Sequence, residues 1–352
     1  FVSPCLPRSH AHPGAMTLTY DSEAGLITTA LQVQGTILPM VVNNFEFWFL
    51  LFMNLGVFMA HQRGMFHPED LNIELPWALT GTTGGLMTFF AVFYNSNSFQ
   101  RYNELYKVVK RMSGYVVEVV IAMRCRVPSK AHARRALRYI LASNFVFIYG
   151  REGGALEKEE WNKLKAMRLL TQQEVRYLDT LDCHAAEKSI HLLHWSLEDI
   201  CAGIPDWFDK HDDLVNGMYD KVLNIRHCQA KIKDTLDLPM PFQYFHIMSF
   251  MMTINLVLWS YSLACKKSLL TPLLYLFIQM VFQGIRELSA ALADPFGDDE
   301  VDFPIENWLV EIVRRNAVLM ESGYKPTLTI AEEVPLKQPK EKDVDIFADA
   351  AE

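Results

Sequence analysis

Three apolar blocks, near residues 27–60, 76–94 and 242–292, flank a charged middle, and nothing else in this 352-residue chain constrains its fold as strongly. A helix needs ~20 largely apolar residues to cross the hydrocarbon core of a bilayer, so blocks of this length read as membrane crossings. The first crossing centres on residues 45–60, where Phe45, Phe47, Trp48, Phe49, Phe52 and Phe58 crowd together. Its strictly apolar core is short. It must either borrow residues 38–42 or tolerate Asn54 and Glu46 buried against protein. The second block, PWALTGTTGGLMTFFAVFY at 76–94, mixes Gly and Thr with Leu and Phe. Small residues allow close helix approach and make poor lipid-facing surface, which places this helix at a protein-facing or pore-facing position. The third and fourth crossings fall at 242–264 and 269–292, joined by Cys-Lys-Lys-Ser.

Between the blocks, residues 101–235 are polar and carry apolar positions three and four apart, as in SIHLLHWSLEDI. That period predicts a helical bundle outside the membrane. Gly150, Gly153 and Gly154 mark a turn, and Pro205 breaks the run. Past Tyr324 the chain is charged and proline-containing, the composition of a flexible tail or of one that wraps a neighbour. The predicted fold class is an all-α integral membrane protein with four transmembrane helices and an extramembrane helical bundle. The organisation runs as an N-terminal segment (1–26), two crossings (27–100), the bundle (101–238) and two further crossings (239–293). An acidic turn with a following helix (294–324) and the tail (325–352) complete it.

The net charge of −8 gives no bulk attraction to nucleic acid. The charges are segregated: from 101 to 138 basic residues dominate and the acids are Glu104 and Glu118 alone. A basic stretch directly after an apolar block is the flank expected on the cytoplasmic side, although Lys266 and Lys267 on the opposite side run against that rule. The six cysteines are scattered and form no CxxC pair, which points to reduced thiols. Residues 1–20 hold no acid and carry Arg8, His10 and His12, a composition that suits an organelle-targeting leader.

The densest chemistry is the run Asp294-Pro-Phe-Gly-Asp-Asp-Glu-Val-Asp-Phe303. Carboxylates crowded on a turn repel one another unless a cation sits among them. Calcium suits such a turn because it accepts six to eight oxygens in flexible geometry, although the 12-residue frame of an EF-hand is absent. The plainer alternative is an acidic helix-start cap. His191 and His194 lie three apart on a helix but lack a third ligand. No nucleophile elbow, HExxH or phosphate-binding glycine loop occurs, so no enzyme is expected.

That acidic turn, placed after the last membrane helix, resembles the turn of the bestrophin family. Met16-Thr-Leu-Thr-Tyr20 is similar to the opening of eukaryotic members. The stretches 97–104 and Leu238-Pro-Met-Pro241 also resemble bestrophin segments. The resemblance covers residues 16–320. It implies a homopentamer around one pore, conducting chloride or bicarbonate under calcium control. A calcium clasp would take side-chain oxygens from Asp299 and Asp302 and carbonyls from Ala291, Asp294 and Gly25. Asp294 stands where animal members carry Asn. The pore neck would fall at Phe93, eight residues before Arg101, with Phe89 and Gly85 one and two turns earlier. Gly85 replaces the larger apolar residue usual there. By the residues alone, Phe89 and Phe93 read more readily as ordinary packing residues than as a pore lining. A second constriction is implied at Leu214 or Val215. The leader would fit the plastid members of the thylakoid membrane. Two readings from other classes stand beside the channel. One is a non-conducting scaffold whose tail recruits a soluble partner. The other is a membrane metalloenzyme using the 298–302 carboxylates, disfavoured by the lack of nearby His.

Overall fold

A computed structural model describes residues 25–30, 32–33, 36–65, 67–68, 73, 75–151, 155–205, 211–238, 241–266, 268–297 and 301–321. Among these every regular element is a helix. The helices are α1 (Leu26–Ala30), α2 (Leu38–Asn43), α3 (Phe45–Gln62), α4 (Trp77–Arg126), α5 (Lys130–Tyr149), α6 (Lys158–Ala166) and α7 (Gln172–Thr180). A short 3₁₀ turn (Ala185–Glu187) precedes α8 (Lys188–Gly203), α9 (His211–Asp237), α10 (Phe242–Ala264), α11 (Thr271–Ala291) and α12 (Ile305–Glu321).

Two hydrophobic cores form. The first is built by α3, α10, α11 and the first half of α4, around Leu50, Met87, Tyr94, Met252 and Tyr275. The second is built by α5, α8, α9, α12 and the second half of α4, around Leu105, Met112, Ile140, Phe145, Leu192 and Ile200. The predicted boundary at residue 100 falls inside α4, a single helix of 50 residues. At about 1.5 Å per residue it is roughly 75 Å long and runs through both cores. The polar stretch around residues 95–100 continues the helix because its buried positions keep the helical period, even as hydropathy drops.

The first core has the polarity of a membrane bundle. On α11 the buried face carries Thr271, Tyr275, Gln279, Gln283 and Ser289. The outward face carries Leu273, Leu274, Phe277 and Val281. A helix with polar residues inward and large apolar residues outward is stable where the surroundings are hydrocarbon. Interhelical hydrogen bonds join the helices: Asn54 Nδ2 donates to the Ser260 carbonyl at 2.7 Å. Gln279 Nε2 donates to the Phe47 carbonyl at 2.7 Å, and Tyr275 OH to the Leu256 carbonyl at 3.2 Å. Such bonds hold membrane helices that gain little from apolar burial against lipid. Gly84 lets α10 approach closely, since a Cβ there would stand 3.0 Å from the Trp259 ring.

The length problem of the first crossing is resolved in an unexpected way. Residues 38–42 do not extend α3; they form α2, which ends at Asn44 in extended geometry. The Asn44 side chain then caps α3, accepting from the Glu46 N–H at 3.1 Å. Asn54 is buried, as expected, but Glu46 is half-exposed and pairs with Arg286 at 3.0 Å. Among the described helices only Phe242–Ala264 is long and apolar enough to cross a membrane by composition alone. The Gly and Thr residues of α4 and the buried Thr271, Gln279 and Gln283 of α11 lower the mean hydropathy of those helices.

Candidate functional site

The first half of α4 is a helix with two unlike faces. Its buried positions are Thr80, Gly84, Met87, Ala91, Tyr94 and Ser98. At 3.6 residues per turn these fall on one side. Diametrically opposite lie Thr82, Gly85, Phe89, Phe93, Ser96 and Gln100, all exposed on the single subunit. Phe89 is 66% and Phe93 51% exposed. The stripe therefore has a phenylalanine waist between two polar ends. Phe93 meets Tyr244 of α10 edge to face at 6.1 Å, and Phe89 meets Phe90 at 5.8 Å. The sequence-predicted neck residues Gly85, Phe89 and Phe93 share this stripe.

The acidic turn lies between α11 and α12. Asp294 accepts from the Phe296 N–H through its side chain at 3.3 Å, and the Phe303 N–H donates to the Pro295 carbonyl at 2.9 Å. These bonds bring Asp302 back against Gly297, where a Cβ would stand 2.9 Å from Asp302 Oδ2. Asp302 is 7% exposed. The next residue, Phe303, is the centre of a ring cluster, packing on Tyr102 at 4.7 Å, on Phe296 at 5.6 Å and on Trp308 at 5.3 Å. Lys110 caps the outer side, its ammonium 3.6 Å from the centre of the Trp308 ring. Burial pushes the Tyr102 hydroxyl above its ordinary range, and the Asp302 charge adds to the shift.

A buried carboxylate demands partners, and a hard cation with oxygen ligands is one fitting partner. Of the predicted clasp, Ala291, Asp294 and Asp302 lie on this turn or on the last residue of α11. Asp299 lies outside the described residues. Gly25 precedes α1, exposed, and its carbonyl already accepts from the Thr29 N–H at 3.1 Å and the Thr29 hydroxyl at 3.3 Å. No group of three or more His, Cys, Asp or Glu residues is arranged to hold a metal among the described residues. Asp294 and Asp302 are the carboxylates of the turn among the described residues, and calcium accepts carbonyl oxygens beside such groups.

Two groups that the sequence does not connect with the acidic turn tie these features together. Arg101 of α4 donates from Nε to the Ala293 carbonyl at 2.8 Å and from Nη1 to the Leu238 carbonyl at 2.6 Å. Tyr102 OH donates to the Val301 carbonyl at 3.3 Å. The helix bearing Phe89 and Phe93 thus grips both ends of the acidic turn. The sequence marks Arg101 as the first cation after an apolar block and as part of the 97–104 stretch, but not as a partner of the turn. Arg151 adds a third clamp, donating to the Phe296 carbonyl at 3.1 Å. Leu214 and Val215 lie at the start of α9, half-buried against the second core, while Asp212 and Asp213 beside them are exposed.

Among curated proteins none matches this chain. Solved structures do. A bacterial bestrophin homolog from Klebsiella pneumoniae is 20% identical, with a TM-score of 0.68, over 79% of this chain and 98% of that one. A point variant of the same homolog is 20% identical, with a TM-score of 0.69, over 82% of this chain and 100% of that one. A structure described as a membrane protein is 19% identical, with a TM-score of 0.69, over 78% and 97%. At these identities the likeness carries the fold. The bacterial/fungal bestrophin family matches residues 19–318, spanning both cores, the phenylalanine stripe and the acidic turn. The chain belongs to the bestrophin family, whose members are integral-membrane anion channels rather than enzymes.

Proposed function

We propose that five copies of this chain surround one pore that passes small monovalent anions, chloride and bicarbonate first among them, with Phe89 and Phe93 as its waist. The observation that supports this reading most is the two-faced first half of α4. A lipid-facing stripe would not carry Thr82, Ser96 and Gln100, and a packing stripe would not leave Phe89 two-thirds exposed. Rings of phenylalanine make a constriction that opens and closes by wetting. Their edges carry partial positive charge, which favours an anion over a cation. Gly85 leaves the ring above them wide. A second constriction is proposed at Leu214 or Val215, near the start of α9.

Calcium control is part of the proposal. Asp302 would hold the ion with Asp299 and with carbonyls of Ala291, Asp294 and Gly25. Calcium would supply fixed positive charge that orders the turn. Arg101 and Tyr102 would pass that order to α4, because both donate to carbonyls flanking the turn. The thylakoid membrane is the proposed location, on the composition of residues 1–20 alone.

Purified protein in chloride-loaded vesicles tests the function. The channel reading expects chloride efflux under an imposed potential, with bicarbonate able to replace chloride outside. Vesicles that hold their chloride would favour the scaffold whose tail, residues 325–352, recruits a soluble partner.

A further inference from the structure

The exposed stripe of α4 does not end with Gln100. Continued at 3.6 residues per turn it carries Glu104, Lys107, Arg111, Gly114 and Glu118, and each of these is exposed on the single subunit. The other side of the helix, with Leu105, Val108, Met112, Val116 and Val119, is buried in the second core. One face of a single helix therefore runs from the phenylalanine waist past four charged side chains. Lys107 and Arg111 lie roughly 21 and 27 Å beyond Phe93, at about 1.5 Å per residue. Formally this stretch is neutral, but its acids are engaged and its bases are not. α9 lies along one flank and sends Lys231 to Glu104 at 3.0 Å and Lys221 to Glu118 at 3.6 Å. Among the described residues Lys107 has no ion pair or hydrogen bond, and Arg111 meets no carboxylate. The group that Arg111 acts on is the buried Cys228 thiol, which burial keeps neutral. The lysines of α9 thus cancel the carboxylates of the stripe and leave Lys107 and Arg111 uncancelled.

We infer that Lys107 and Arg111 line the conduction path beyond the waist and set its conductance, by holding small anions in excess at that mouth of the neck. The inference rests on the channel reading, in which the stripe of Phe89 and Phe93 faces the axis. Copies of the chain around that axis bring several such pairs of cations to one water-filled space. A path lined by one sign of charge between low-dielectric walls raises the local concentration of the opposite ion. Exposure fits this role better than a fixed ligand site, because conduction needs attraction weak enough for the ion to leave. The lysine ammonium suits it too, as a strongly hydrated point charge on a flexible stem that draws an anion without clamping it.

Single-channel recording of the purified full-length protein in planar bilayers tests this. Lys107→Gln with Arg111→Gln is expected to lower chloride conductance roughly threefold in about 10 mM chloride and to leave it nearly unchanged in about 1 M. The screening length shrinks between those conditions from about 30 Å to about 3 Å, so a charge effect fades and a packing effect does not. Lys107→Cys gives a second readout that packing cannot mimic. Relative to the unsubstituted protein treated alike, a thiosulfonate that attaches an ammonium should restore its conductance in dilute chloride, and one that attaches a sulfonate should lower it further. Undiminished conductance of the double variant in dilute chloride, an equal fall at both salt concentrations, or the same effect from both reagents would each overturn the inference. Should the double variant not assemble, the two reagents on Lys107→Cys decide alone. An unsubstituted protein that passes no chloride would overturn the channel reading and this inference with it, whereas a conducting channel indifferent to these charges overturns the inference alone.

Discussion

Arg101 Nε donates to the carbonyl of Ala293 at 2.8 Å, joining the pore-facing helix to the first residues of the acidic turn. The guanidinium is partly buried, and burial lowers its proton affinity while the Asp294 charge opposes that. It remains charged at any physiological pH. A second bond to the Leu238 carbonyl makes it the point where α4, α9 and the turn converge. Arg101→Gln removes charge-assisted bonds worth about 1.5–3 kcal/mol each. Channels carrying it should still pass anions but lose most of their response to calcium. Planar-bilayer recordings across a calcium series check this, and an unaltered calcium response would separate the turn from the pore.

Asp302 is the buried carboxylate of the turn, held against Gly297. Asp302→Asn keeps its shape and removes its charge. Calcium affinity should fall at least about tenfold, since hard-cation sites depend on ligand charge. Isothermal titration of the purified protein reads the constant. Binding of undiminished strength would move the ion elsewhere.

Gly150 ends α5, and a Cβ there would stand 2.5 Å from backbone atoms of Ala185 and Ala186. Backbone cannot yield as a side chain does, so Gly150→Ala should destabilise the second core by about 2–3 kcal/mol. The expected signature is a lower thermal midpoint of the extramembrane helices.

Glu174 links α7 to α5. Burial raises its pKa, but this is outweighed by the Thr171 N–H and hydroxyl, the Tyr139 hydroxyl and the Arg138 charge, so its pKa lies below the ordinary carboxylate value. The bonds to Arg138 and Tyr139 are 2.6 and 2.7 Å. A depressed pKa means stability that is present above the unfolded value and lost as pH falls through the folded one. Glu174→Gln should therefore cost about 2 kcal/mol near neutral pH and progressively less in acid. Denaturant unfolding of both proteins at several pH values measures the difference.

Much of this architecture is written in hydropathy. The blocks at 242–264 and 269–292 correspond to α10 and α11 within two residues, because long apolar runs leave no competing fold. The unbroken course of α4 was not legible. Residues 95–100, Asn-Ser-Asn-Ser-Phe-Gln, have loop composition, and tertiary contacts, the burial of Ser98 and the Ser289 hydroxyl donating to Asn95 at 3.0 Å, keep them helical. The division of α2 from α3 at Asn44 was hidden for the opposite reason, since both flanks are apolar. Of the site, the phenylalanine stripe follows from spacing four apart. The packing of Tyr102 on Phe303 and the carbonyl clamp of Arg101 join residues 190 or so positions apart, which no local pattern reveals. Arg286 gave a usable signal: a cation inside an apolar block needs a partner, and here it has Glu46 and Glu287.

The waist at Phe89 and Phe93 is the core of the account, and thiol chemistry in a planar bilayer tests it most directly. Phe89→Cys channels, exposed to a membrane-impermeant anionic thiosulfonate while carrying chloride current, should be blocked almost completely. Phe277→Cys, on the outward face of α11, should conduct as before. Current through Phe89→Cys that ignores the reagent, with block at Phe277→Cys instead, would contradict a pore lined by α4.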